Sequence, residues 1–170
     1  LARTTHGSTL SRIAHSWVLA RSDRPRSWEL FEGALESDIS DIQGGTTPEG
    51  IHVGAMAGTV DLIQRCYLGV EIRADVLHLD PALPDELGGV RVRLSYRRQV
   101  LDIEADHDTL RVTSLPLSAE PIVVAYRGRA RQVFAGDGFE FRLLRPEERD
   151  RDENRARDGG GLGLSDVGPV

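Results

Sequence analysis

Two short segments hold side chains suited to work on an anion. The first is Thr4-Thr5-His6-Gly7-Ser8-Thr9-Leu10-Ser11, several hydroxyls and a glycine at the edge of a helix-like run. A helix start leaves backbone N–H groups without partners and carries partial positive charge, so it suits phosphate. Ser8 and Thr9 would add hydroxyl donors, and Gly7 would let an anion approach the backbone. The second segment is Thr46-Thr47-Pro48-Glu49-Gly50-Ile51-His52, which sets a histidine after a glycine-rich loop, at the start of another helix. An imidazole there can donate to an anion or orient a sugar hydroxyl. Read alone, the first segment is an ordinary helix cap, and His52 is a histidine satisfied by nearby backbone. Read together, they are two helix starts that could converge on one anion, a point that spacing leaves open. Glu49 is the only carboxylate in the two segments and reads as a solvated loop residue.

The elements that must position these residues change character near residue 75. Before it, apolar residues recur with helical spacing. Leu10, Ile13, Ala14, Trp17 and Val18 share one face of a helix over about residues 10–20, with Ser8 or Thr9 as cap. Pro25 suits the first turn of a second helix, which aligns Trp28, Phe31, Leu35 and Ile39. A third runs from Ile51 or His52 to Tyr67, and its small residues Gly54, Ala55, Ala57 and Gly58 suggest close packing. From Val76 the period is two: Val90, Val92, Leu94 and Tyr96 face one way and Arg91, Arg93 and Ser95 the other. Short runs of this kind, with a tight turn after Tyr96 and another at residues 106–108, predict antiparallel strands in a sandwich. Residues 146–170, charged and then glycine-rich, predict a disordered tail.

The bulk properties exclude several classes. The chain has 170 residues, 39% hydrophobic and 28% charged, with a formal net charge of -6. That balance predicts no nucleic-acid partner. No apolar run is long enough for a membrane span, so no membrane partner is expected. The single cysteine, Cys66, cannot form an internal disulfide and reads as a buried small hydrophobe in a cytoplasmic setting. His15 reads as structural. His78 and His107 have no companions at metal-ligand spacing, so no metal is expected. Trp17 and Trp28 could be sugar platforms, but their helical spacing favours the core. The arginines at 91, 93, 97 and 98 could face an acidic partner or simply be solvated. A chain that begins at Leu1 without Met reads as a fragment.

Four motifs in order carry a resemblance. His6-Gly7-Ser8-Thr9-Leu10-Ser11 is similar to the His-Gly-Ser-Ser-Leu-Ser motif of the phosphorylases of glycoside hydrolase family 65. Ala34, Asp38 and Asp41 resemble that family's Ala-x-x-x-Asp-Leu-x-Asp, and Gly44 to His52 its Asn-Thr-x-x-Gly-Ile-His stretch. Leu79-Asp80-Pro81-Ala82-Leu83-Pro84 resembles its Leu-x-Pro-x-Leu-Pro entry to a C-terminal domain. The resemblance implies an α+β fold: residues 1–75 as the C-terminal helices of an (α/α)6 barrel, 76–145 as a small antiparallel β-sandwich domain, and then the tail.

It also implies an inverting α-glucoside phosphorylase, in which phosphate attacks the anomeric carbon of maltose, trehalose or a related disaccharide and a Glu protonates the leaving oxygen. Ser8, Thr9 and His52 would hold phosphate and Gly7 would permit its approach. Inorganic phosphate would be co-substrate, with no cofactor, and a homodimer is implied. A phosphorylase needs an anion cradle where an inverting hydrolase needs a carboxylate base and water, and these residues supply donors without a carboxylate. Thr9 stands where the family has Ser, Gly45 where it often has Asn, and no residue here matches the general acid. The chain alone is therefore expected to be inactive. The other readings are a related α-glucoside hydrolase and a non-catalytic β-sandwich that contacts carbohydrate or is structural.

Overall fold

The computed structural model describes residues 8–40, 50–145, 147–149 and 151. It divides into two units: residues 1–71 with 79–88, and residues 72–78 with 89–170.

The first unit is helical. Helix α1 spans Thr9–Leu19, α2 Arg24–Leu35 and α3 Val53–Leu62. Asp23 caps α2 by accepting from the Arg26 N–H at 3.2 Å, with Pro25 in the first turn. A 3-10 turn, Glu36–Asp38, extends α2, and a π-helical turn, Ile63–Tyr67, extends α3. The α3 extension ends in a glycine cap. Gly69 takes φ +64, and the Val70 N–H reaches back to the Gln64 carbonyl at 2.9 Å.

The buried face of α1 differs from the expected one. Leu10, Trp17 and Val18 are 54%, 48% and 68% exposed, whereas Ile13, Ser16 and Ala20 are buried. Ile39 at the end of the α2 stripe is also exposed, while Phe31 is buried. The interior contacts here are small and polar. Ser16 Oγ donates to the Ser27 carbonyl at 2.7 Å and Ser27 Oγ to the Ser16 carbonyl at 2.8 Å. This reciprocal clasp draws α1 and α2 together where hydropathy alone points elsewhere. Below it, Phe31 meets the Tyr67 ring edge-on at 5.8 Å, and Trp28 packs on Phe31 at 5.2 Å. Cys66 is buried, and loss of solvent pushes its thiol up to about 11.

The second unit is a sandwich of two four-stranded sheets. One has the order β1-β2-β6-β7, with β1 Glu71–Arg73, β2 Val76–His78, β6 Ile122–Tyr126 and β7 Arg129–Val133. The other has the order β3-β4-β5-β8, with β3 Val90–Tyr96, β4 Gln99–Ala105, β5 Thr109–Ser114 and β8 Gly138–Arg142. The pairs of the second sheet are antiparallel, and β4 buries every second residue. The first sheet holds a parallel pair, β2 with β6, possible because the chain builds much of the other sheet before returning. Tyr126 and Phe141 pack across the sandwich as tilted rings, their centroids 5.8 Å apart. Gln99 is fully buried and fully used: its amide donates to the Glu120 and Val133 carbonyls, and its Oε1 accepts from Ser114.

The arginine face of β3 is spoken for. Arg93 grips Asp102 with Nε at 2.6 Å and Nη2 at 2.8 Å, while Arg91 reaches both Asp102 and Glu104. Arg97 pairs with Asp75. The Arg93 bonds, ahead of all else, hold the Asp102 carboxyl down at about 2. A carboxylate depressed on folding stabilises above its unfolded range and loses that contribution as pH falls through the folded value. Asp102→Asn should therefore be less stable than the parent at pH 6, and the gap should close between about pH 4 and pH 2 in acid-denaturation curves.

The tight turn after Tyr96 places Arg97 at φ 48 and Arg98 at φ 66, with Tyr96 opposite Gln99. Two-residue hairpins of this form favour Asn-Gly. Combining Arg97→Asn with Arg98→Gly should raise unfolding stability by about 1 kcal/mol in urea titrations, because a left-handed L-residue costs ~1–2 kcal/mol. At residues 106–108 the loop closes on Asp106, which accepts from the Asp108 and Thr109 N–H groups at 2.8 and 2.7 Å. Most of the expected tail lies outside the described residues. Residues 147–149 are helical, and Glu148 accepts from the Arg145 N–H at 2.9 Å.

Candidate functional site

The two helix starts lie side by side. A Cβ at Gly54, in the first turn of α3, would meet Leu10 Cδ2 at 3.4 Å, and one at Gly58 would meet Ile13 Cγ2 at 2.7 Å. The contacts advance together, Leu10 to Ile13 against Gly54 to Gly58, so α1 and α3 run the same way with their N-termini at one end. The small residues noted in the sequence make this approach possible. They admit apolar side chains of α1.

Ser8 is the N-cap residue of α1, extended at φ -142 and ψ 141 and exposed. Its hydroxyl makes no capping bond to its own helix, and its carbonyl accepts the Ser11 N–H at 3.1 Å and the Ser11 hydroxyl at 2.7 Å. Neither α1 nor α3 has an acidic residue of its own in its first turn. Thr9 opens α1, but its side chain lies outside the described residues, as do Gly7 and the loop from 41 to 49 with Asp41.

His52 is the N-cap residue of α3 and is held by one carboxylate at two points. Asp38 Oδ2 accepts the His52 backbone N–H at 2.9 Å, and Asp38 Oδ1 pairs with the ring Nδ1. The hydrogen bond from the ring is the main cause that lowers the Asp38 pKa below the ordinary carboxylate value. An ionised carboxylate only accepts, which places a proton on Nδ1 and leaves Nε2 for a ligand. The Asp38 side chain is 8% exposed and that of His52 29%.

The expectation of a cradle without carboxylate therefore needs one change. A carboxylate is present, but its charge is engaged by His52. Ser8 and His52 occupy the same end of the helical unit, and Asp38 joins them there from the end of α2. In the sequence Asp38 belongs to a family-like motif that by itself assigns it no role. The signal available was a helix-terminal acid fourteen residues before a histidine at a helix start. Trp17, expected in the core, instead borders a cleft of about 530 Å³ with Val18, Arg21, Arg65 and Cys66, away from these residues in the sequence.

Comparison with known proteins places both parts of the chain in one family. The model of the glycosyl hydrolase family 65 central catalytic domain matches residues 1–61, and that of the family's C-terminal domain matches residues 70–133. An uncharacterized glycosyl hydrolase of Mycobacterium tuberculosis is 47% identical over 140 residues, 82% of this chain and 11% of that protein. The trehalose 6-phosphate phosphorylase of Lactococcus lactis is 33% identical over 144 residues, 84% of this chain and 18% of that protein. A solved structure provisionally described as a kojibiose phosphorylase from the human microbiome superposes with a TM-score of 0.69 at 22% identity, over 82% of this chain and 18% of that one. That last likeness concerns the fold. The chain thus spans between a tenth and a fifth of the length of these proteins.

Proposed function

The chain belongs to glycosyl hydrolase family 65, and from that premise we propose that it forms the phosphate-holding side of an inverting disaccharide phosphorylase. The observation that carries the reading is the alignment of α1 with α3, which sets Ser8 and His52 at one end with no acidic residue in the first turn of either helix and the one carboxylate there, Asp38, engaged by His52. Phosphate would lie across the two N-termini, held by backbone N–H groups, the Ser8 hydroxyl and His52 Nε2. Thr9 would add a second hydroxyl, and Gly7 the space for the anion to come close.

The helices are read as the closing helices of an (α/α)6 barrel. Phosphate is already an anion, so its oxygen attacks the anomeric carbon without a base. The bond to the leaving sugar breaks as a carboxylic acid protonates its oxygen. That acid is expected from the part of the relatives that this chain does not span. Inversion of an α-glucoside yields β-glucose 1-phosphate. Trehalose, maltose, kojibiose and trehalose 6-phosphate form the panel to test.

The second reading is a hydrolase. The pairing of Asp38 with His52 favours it, because an imidazole so held can also take a proton from water. Incubating the complete gene product with the panel, with and without inorganic phosphate, separates the two. Phosphorolysis predicts β-glucose 1-phosphate and no cleavage without phosphate. Release of free glucose alone, at a rate indifferent to phosphate, would overturn it.

A further inference from the structure

We propose that Asp38 is the positioning residue of this site: it holds His52 by ring and backbone together, so that Nε2 is presented to the anion. The inference rests on the phosphate reading above. It goes beyond that reading by assigning a role to a residue that touches no substrate.

The geometry has three parts. First, one carboxylate meets two donors of the same residue, the backbone N–H and ring Nδ1. Two anchor points on one side chain restrict the torsions that would otherwise let the imidazole swing. Second, Asp38 is itself held in place. It ends the 3-10 turn that follows α2, where the buried Ser37 hydroxyl donates to the Ala34 carbonyl at 2.6 Å. Third, the pair fixes the tautomer. With Nδ1–H donating to the Asp38 carboxylate, Nε2 accepts from a protonated phosphate oxygen when the ring is neutral. It donates to an ionised oxygen when the ring is charged. Asp38 also balances the charge of that second form, so that the pair presents little net repulsion to a phosphate.

A simpler role would be structural, with Asp38 serving only as an acceptor for the first N–H of α3. The two roles differ in what they move. The test uses the complete gene product with Asp38→Asn, His52→Asn and the double variant. Asparagine at 52 keeps a donor near the place of Nδ1 and removes Nε2.

Asp38→Asn should raise the KM for phosphate about tenfold, with much smaller changes in the disaccharide KM and in the melting temperature. The same change in the His52→Asn background should have little further effect, because Asp38 acts through His52. Histidine-selective 15N spectra, with His52 assigned by its loss in His52→Asn, should show the proton on Nδ1 in the parent and a shift towards the other tautomer in Asp38→Asn. The proposal is overturned if Asp38→Asn leaves the phosphate KM unchanged while His52→Asn raises it. It is equally overturned if the two effects multiply in full, or if the His52 tautomer is indifferent to Asp38. A phosphate KM untouched by His52→Asn, together with a tautomer that changes in Asp38→Asn, would sink the phosphate reading while supporting Asp38 as the residue that fixes the ring.

Discussion

His52→Asn should raise the KM for phosphate by roughly 10- to 100-fold, because a hydrogen bond to a charged group contributes about 1.5–3 kcal/mol. The substitution keeps a donor for Asp38 and deletes Nε2, so the expected loss falls on the ligand side of the ring. Steady-state kinetics with phosphate varied at saturating disaccharide provide the check. His52→Gln should recover part of the loss, since its longer amide reaches the place of Nε2. Ser8→Ala removes one hydroxyl donor to the same charged anion and should likewise raise the phosphate KM by roughly 10- to 100-fold. Ser8 caps nothing with its hydroxyl, so its loss should leave the helical unit as stable as before. A His52→Asn enzyme with the parent's phosphate KM would show that the anion sits elsewhere.

Gly69→Ala should destabilise the chain by about 3 kcal/mol. Two costs combine. Gly69 sits at φ +64, where an L-residue costs ~1–2 kcal/mol. Its added Cβ would also stand 2.8 Å from the Asp80 carbonyl carbon, and nearer still to the oxygen. These are backbone atoms, so no side chain can swing aside. Asp80 is fixed there by its N–H, which reaches the Leu68 carbonyl at 3.2 Å, and by Ala82, whose N–H reaches the Tyr67 carbonyl at 2.7 Å. Opening this contact would lift residues 79–88 from the end of α3, where Tyr67, Leu68 and Leu79 are buried. Denaturant titration measures the loss, and Gly128→Ala is the control. Gly128 has φ +80 but nothing within 4 Å of an added Cβ, so only the backbone cost of ~1–2 kcal/mol should appear. Equal losses at the two sites would mean that the Asp80 contact contributes nothing.

The strands were legible in the sequence because their period is two and one face is apolar. Val90, Val92 and Leu94 sit on the more buried side of β3 as that pattern requires. The parallel pairing of β2 with β6 was not legible, since local alternation says nothing about which distant strand lies alongside. The helices were legible in place, but within this chain the buried side of α1 is not the apolar stripe. Hydropathy ranks Leu10, Trp17 and Val18 above Ser16, yet Ser16 is buried because a reciprocal bond to Ser27 satisfies both hydroxyls. A polar residue becomes a core residue when its partner is present, and that partner lies eleven positions away on another helix. At the site, Ser8 and His52 could be named from their helix starts. Asp38 could not be given its role, because only the fold brings the end of α2 to the start of α3.

The most direct measurement is a crystal structure of the complete gene product grown or soaked with phosphate. The account predicts an anion at the joined starts of α1 and α3, with Ser8 Oγ and His52 Nε2 each within about 3 Å of its oxygens and Asp38 still on Nδ1. An anion bound elsewhere, touching neither Ser8 nor His52, would contradict it.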